Sequence, residues 1–274
     1  GNVFILQKQH QQIKLFHGEV HRNAVFGHCA GWDVHLHPIQ RKMLRRFLWK
    51  KLCCGRKGRI IGMQLLYKEL VLAAHPTHLV FACMGALVLV PAYPFSVIFM
   101  FGCLGPYITL QYGRETGDAR FTALLPVARC DVVRGKFLLI ACLQLFQLVL
   151  SVPFACLRGA LGMGGNPVGL DATVAWYGMG LMLYAVFDAI FLPVYYRTAC
   201  KVGRAFLVAA LPMVLMMAGI ESVAHIPALA WMDGTEPGEL RRQIPILLLG
   251  VLVYGGALSL AYRRSVQNFS RVDL

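Results

Sequence analysis

From residue 76 to residue 262 the chain alternates long apolar runs with short polar stretches broken by proline and glycine. Against the roughly 20 residues that a helix needs to cross a bilayer, six runs stand out: 76–92, 94–112, 137–157, 173–196, 205–226 and 244–262. The first two are short and meet at Pro91-Ala-Tyr-Pro94, so they are expected to form a tight hairpin. The pattern predicts an all-α, polytopic membrane protein with six transmembrane helices. Just ahead of them, Met63 to His75 sets Leu65, Leu66, Leu70 and Val71 at helical spacing with Lys68 and Glu69 between them. That spacing fits a helix lying in the interface, or an extension of the first span; both put Lys68 on the cytoplasmic side.

Hydrophobic residues make up 57% of the chain and charged ones 15%, with a mean hydropathy of +0.58. A soluble globular domain carries about 25% charged residues, so the composition agrees with membrane residence. The formal charge of +14 would suggest a nucleic-acid partner if it were spread evenly. It is not: residues 1–62 hold 12 Lys and Arg against Glu19 and Asp33, a net +10, which leaves +4 for the remaining 212 residues. No nucleic-acid partner is implied.

The cations in the short loops set the expected orientation. Arg114, Arg120, Arg129, Arg134 and Lys136 fall between spans two and three; Arg197, Lys201 and Arg204 between four and five; Arg263, Arg264 and Arg271 after six. Those segments are placed inside, giving N-in and C-in. The loops 158–172, where Arg158 is balanced by Asp171, and 227–243, which mixes Asp233, Glu236 and Glu239 with Arg241 and Arg242, are placed outside. Arg241 and Arg242 run against that orientation and are outnumbered. Cys83, Cys103, Cys142 and Cys156 lie in apolar runs and Cys130 and Cys200 in cytoplasmic loops, so no disulfide framework is expected.

Residues 1–62 differ from the rest: Gln, His and basic residues dominate and no apolar run reaches span length. They are expected to be a basic, disordered extension, or read-through ahead of a start at Met63, with no signal peptide; 63–274 is the six-span domain. His28, Cys29, His35 and His37 lack the paired spacing of a structural zinc site, and no metal is expected. Arg41 to Leu52 could form a basic amphipathic helix beside anionic lipid.

Candidate chemistry is sparse. There is no GxxxxGK[ST] loop, no HExxH and no GxSxG, so neither nucleotide hydrolysis nor proteolysis or ester hydrolysis is expected of this chain. Within the spans, Asp188 lies nine residues before Arg197, about 13 Å inward along a helix. A carboxylate there either packs helices through a hydrogen bond or lies on a substrate path. Gln144 and Gln147 share a helix face and raise the same two readings. Glu221, about 25 Å beyond Arg204, is expected at the outer headgroups. The sequon at Asn268 falls on the expected cytoplasmic side and carries no glycan there.

The polar segment from Arg114 to Lys136 is the most distinctive stretch. Glu115 and Asp118 follow span two; Leu124-Leu-Pro-Val-Ala-Arg-Cys-Asp-Val-Val-Arg-Gly-Lys136 then runs into span three. Pro126 disfavours helix at Leu125, so a new helix is expected near Ala128, with Asp131 in its first turn complementing the macrodipole. This stretch resembles the Leu-Pro-Val-Ser-Arg-Lys-Asp-Ile-Val-x-Gly-Lys element of small six-span permeases of bacterial type-2 ATP-binding-cassette (ABC) exporters. The start MQLLYKEL, with Lys68 and Glu69, and the close from Ser259 through Phe269 to Asp273-Leu274 are similar to the same family. Ala128 stands where the family often has a capping Ser or Thr, and Cys130 where it often has Lys.

The resemblance implies a permease subunit, not itself an enzyme, that exports a substrate when a separate ABC ATPase closes on ATP and Mg²⁺. The implied coupling surface is Glu115, Asp118, Leu125, Pro126, Val127, Arg129, Asp131, Val132 and Lys136. Asp188, Gln144 and Gln147 would be the intramembrane candidates. Implied partners are the ATPase, a second permease copy and the lipid of the plasma membrane; no cofactor is expected on this chain. A non-transport accessory or scaffold protein is the alternative. Secondary transport would need inverted repeats and midplane ionisable clusters, neither of which is apparent.

Overall fold

In the computed structural model the chain divides into two units, 1–51 and 52–274. The structure describes residues 66–70, 77–116, 128–163, 165–198 and 200–270, all in the second unit. The extension 1–62 and the segment 117–127 lie outside the described residues, and so do the expectations placed on them.

Each apolar run forms helix, because a backbone in hydrocarbon must satisfy its hydrogen bonds within the segment. The elements are α1 (Thr77–Cys83), continued as a 3-10 stretch (Met84–Leu89), α2 (Val97–Glu115), α3 (Arg129–Ala160), α4 (Val174–Arg197), α5 (Val202–Val223), a 3-10 turn (Pro227–Met232) and α6 (Pro237–Ser270). Among the described residues there is no strand. Among these residues four helices, α3 to α6, are long and apolar enough to cross a membrane. The first two expected spans fall short of that standard. α1 with its 3-10 continuation rises only roughly 22 Å against a hydrocarbon core of about 30 Å. α2 has 19 residues but ends in Arg114 and Glu115. They are joined through the expected turn, where Ala92 adopts a left-handed φ of 56°.

α4 is apolar on every side and is the most buried of the four span-length helices, whereas α5 and α6 turn most of their surface outward. Trp176, Tyr184, Phe187 and Phe191 of α4 are fully buried. Phe99 of α2 packs against Trp176 with ring centroids 4.3 Å apart and edge-on to Tyr184 at 5.8 Å. α4 and α6 touch backbone to backbone. A Cβ on Gly178 would lie 2.7 Å from the Ile246 carbonyl oxygen, and one on Gly250 2.3 Å from the Gly178 carbonyl oxygen. Small residues permit such close approach between membrane helices. At the far end of the same pair, Asn268 donates from Nδ2 to the Pro193 carbonyl at 2.9 Å and Phe269 meets Tyr196 at 5.3 Å.

The loops expected outside fold together at one end. Arg158 Nε lies 3.4 Å from Asp171 Oδ1, its Nη1 donates to the Val88 carbonyl at 3.1 Å, and its guanidinium sits over the Phe95 ring. The Asp171 amide donates to Asp233 Oδ1 at 2.6 Å, and Thr173 Oγ1 to the Met232 carbonyl at 2.9 Å. Gln243 accepts from the Ala175 amide and donates to the Trp231 and Gly234 carbonyls. Glu221, at the same end, accepts the Ser96 amide at 2.8 Å, which ties α5 to the start of α2. Arg241 and Arg242 are exposed, with Arg242 over Trp231.

Candidate functional site

α3 begins at Arg129, one residue after the extended Ala128, whose carbonyl accepts the Asp131 amide at 2.9 Å. Ala128 offers no side-chain cap, as expected from its sequence. From there the helix runs for 32 residues, so Arg129 to Lys136, the end of the polar segment, and the apolar span share one helix. Asp131 is half-buried in the first turn, and Glu115 at the end of α2 is exposed and accepts from Gln111 at 2.9 Å. Asp118, Leu125, Pro126 and Val127 lie outside the described residues.

One expectation for this surface is corrected. Val132 was placed on a face offered to a partner, but with Val133 it packs into the chain's own core. Lys136, named in the implied coupling surface, is 6% exposed and its ammonium is held by Glu69. Glu69 also accepts from Lys68 Nζ at 2.8 Å. The stretch 66–70 is thereby turned opposite to an interfacial helix: Lys68 and Glu69 point inward while Tyr67 and Leu70 are exposed. The carboxylate between two ammonium groups offsets the cost of burying each charge.

The intramembrane candidates divide. Asp188 and Gln144 are fully buried and bonded, Gln144 Nε2 donating to Asp188 Oδ1 at 3.1 Å. Tyr254 of α6 donates its hydroxyl to Gln144 Oε1 at 2.7 Å, so the amide bridges α3, α4 and α6. Gln147, one turn on, reaches elsewhere: its Nε2 donates to the Ile98 carbonyl of α2 at 2.6 Å. Tyr254 was invisible to the sequence reading, since a tyrosine in an apolar helix is ordinary and its partner lies 110 positions away.

At the end where Lys136 sits, α4 and α5 are joined by a short turn with Cys200 at φ 62°. Burial raises the Cys200 thiol pKa, opposed by a hydrogen bond from Tyr195 and by the nearby charges of Lys136 and Arg114. Beside this turn, Val194, Arg197, Thr198, Lys201, Arg204 and Val208 line an open cavity of about 590 Å³.

Span-length helices, a core threaded by inter-helix hydrogen bonds and polar loops gathered at the ends define a multi-pass membrane protein. The sequence profile of the ABC-2 family transporter protein matches residues 64–260. This chain belongs to that family, which is the type-2 ABC permease class that its start, polar segment and close resemble. Comparison with curated proteins and with solved structures finds no match.

Proposed function

We propose that the chain is the membrane-spanning permease subunit of an ABC exporter in the plasma membrane, driven by a separate ABC ATPase. The observation that carries this reading, within the family assignment, is the continuity of α3 from Arg129 to Ala160. A push on the polar segment has no joint at which to dissipate before it reaches the core. Pro153, the one break in its hydrogen-bond ladder, lies near the opposite end. Arg129, Asp131 and Glu115, with the 117–127 stretch, make up the contact surface for the ATPase, while Lys136 and Val132 transmit motion from inside.

In this reading α1 and α2 complete six spans where the bilayer thins around them, with both termini in the cytoplasm, and a second permease copy completes the path. The cations Arg197, Lys201 and Arg204 share an end with Lys136 and Arg114, as a common cytoplasmic face requires. ATP and Mg²⁺ act on the partner, and this chain is not an enzyme. Co-expression with a candidate ABC ATPase tests the proposal. A stable complex whose ATP hydrolysis depends on the permease is expected, and a chain that purifies alone under every such pairing would favour an accessory role.

A further inference from the structure

We infer that the groove between the end of α4 and the start of α5 is a binding site for the phosphate headgroup of an anionic phospholipid. Its rim carries three cations on two helix faces: Arg197 in the last turn of α4, then Lys201 and Arg204 at the start of α5. All three are exposed, and among the described residues none forms an ion pair; the carboxylate pairs there involve Lys68, Lys136 and Arg158. Three uncompensated cations around one cavity of about 590 Å³ repel one another until an anion joins them. Arginine forks suit the paired oxygens of a phosphate.

The same cavity has an apolar wall, Val194 and Val208, and the surface continues from Val208 into exposed Leu207 and Leu211 along α5. A free phosphate has no use for such a wall. A phosphodiester with acyl chains does, because its headgroup can meet the cations while its tails lie along α5 in the hydrocarbon. The inference needs only that α4 and α5 cross a bilayer, and neither the ATPase partner nor the orientation enters it.

The test uses the full chain purified in detergent, loaded with phosphatidylglycerol or phosphatidylcholine and read by native mass spectrometry. One phosphatidylglycerol per chain is expected to be retained, at least roughly tenfold over phosphatidylcholine. Arg197→Gln/Lys201→Gln/Arg204→Gln is expected to abolish that preference, and Arg241→Gln/Arg242→Gln, at the other end, to keep it. Val208→Trp, which fills the groove and leaves every cation in place, is expected to lose the lipid as well, and it decides the matter if the triple variant does not fold. Wild-type retention in Val208→Trp, or equal retention of the two lipids, overturns the site. Displacement of phosphatidylglycerol by millimolar inorganic phosphate would make it a soluble-anion site and overturn the lipid assignment.

Discussion

Glu69 and Lys136, 67 positions apart in sequence, form a buried ion pair that fastens the stretch before α1 to the beginning of α3. Lys68 adds a second ammonium to the same carboxylate. Residues 66–70 are thus pinned to the first turns of α3.

Removing the carboxylate strands two buried cations. Glu69→Gln is expected to cost about 3–5 kcal/mol, the range for breaking a buried pair from one side, and to appear as a lowered melting temperature in detergent. Leu70→Ala, one residue away and exposed, is expected to leave the melt unchanged; equal melts for both variants would place the ion pair outside the folded protein.

The α4–α6 contact leaves no room for a methyl group. Gly178→Ala and Gly250→Ala press against main-chain atoms that cannot swing aside, with an expected loss of about 1–3 kcal/mol or more each. Gly219→Ala meets open space and serves as the reference in the same thermal unfolding series.

Asp171 gives the loop end a pH dependence. Burial, then the charge of Asp233, raises its carboxyl pKa above the ordinary 3.8, and Arg158 opposes the shift. A raised folded value means that the folded state holds the proton more tightly. The contribution to stability is therefore full below 3.8 and is lost as pH rises through the raised value. Thermal unfolding followed by tryptophan fluorescence is expected to show that contribution growing as pH falls from neutral toward 4, and Asp171→Asn to remove this part of the pH dependence.

Two cysteines report orientation and packing separately. Cys130 is exposed and Cys200 is buried, although the loop positions of both predict equal access. A maleimide is expected to modify Cys130 in inverted vesicles and to reach Cys200 only after denaturation. Modification of Cys130 in intact cells by an impermeant reagent would reverse the proposed topology.

Neighbouring positions at the start of α3 are expected to fail in different ways. Val132→Asp buries a charge among core residues and costs about 1–3 kcal/mol or more, so it lowers the yield of folded protein. Arg129→Glu leaves folding intact and weakens ATPase association in a salt-dependent manner, measured by pull-down across a salt series. Loss of folding in both variants would remove Arg129 from the proposed contact surface.

What the sequence disclosed depended on whether the cause was local. Helix positions followed from run length, the hairpin from Pro91 and Pro94, and the missing cap from Ala128. The Glu69–Lys136 pair was out of reach, because the position of Lys136 in a charged stretch is visible and its partner 67 positions away is not. Val132 was misread for the same reason, since a valine at a helix start looks alike whether its own core or another protein covers it. Run length named six spans, and among the described residues four helices reach the length and hydropathy of a span; the 3-10 continuation of α1 has no signal in run length. The groove was overlooked because Arg197, Lys201 and Arg204 had already been used as signs of sidedness.

α4 and α6 are welded at Gly178–Gly250 and latched again at Pro193–Asn268 and Tyr196–Phe269. Two joints so far apart on the same pair of rods turn them into a single beam. Such a beam can tilt but cannot scissor. α4 and α6 therefore move as one body, and motion between spans falls to α1, α2, α3 and α5.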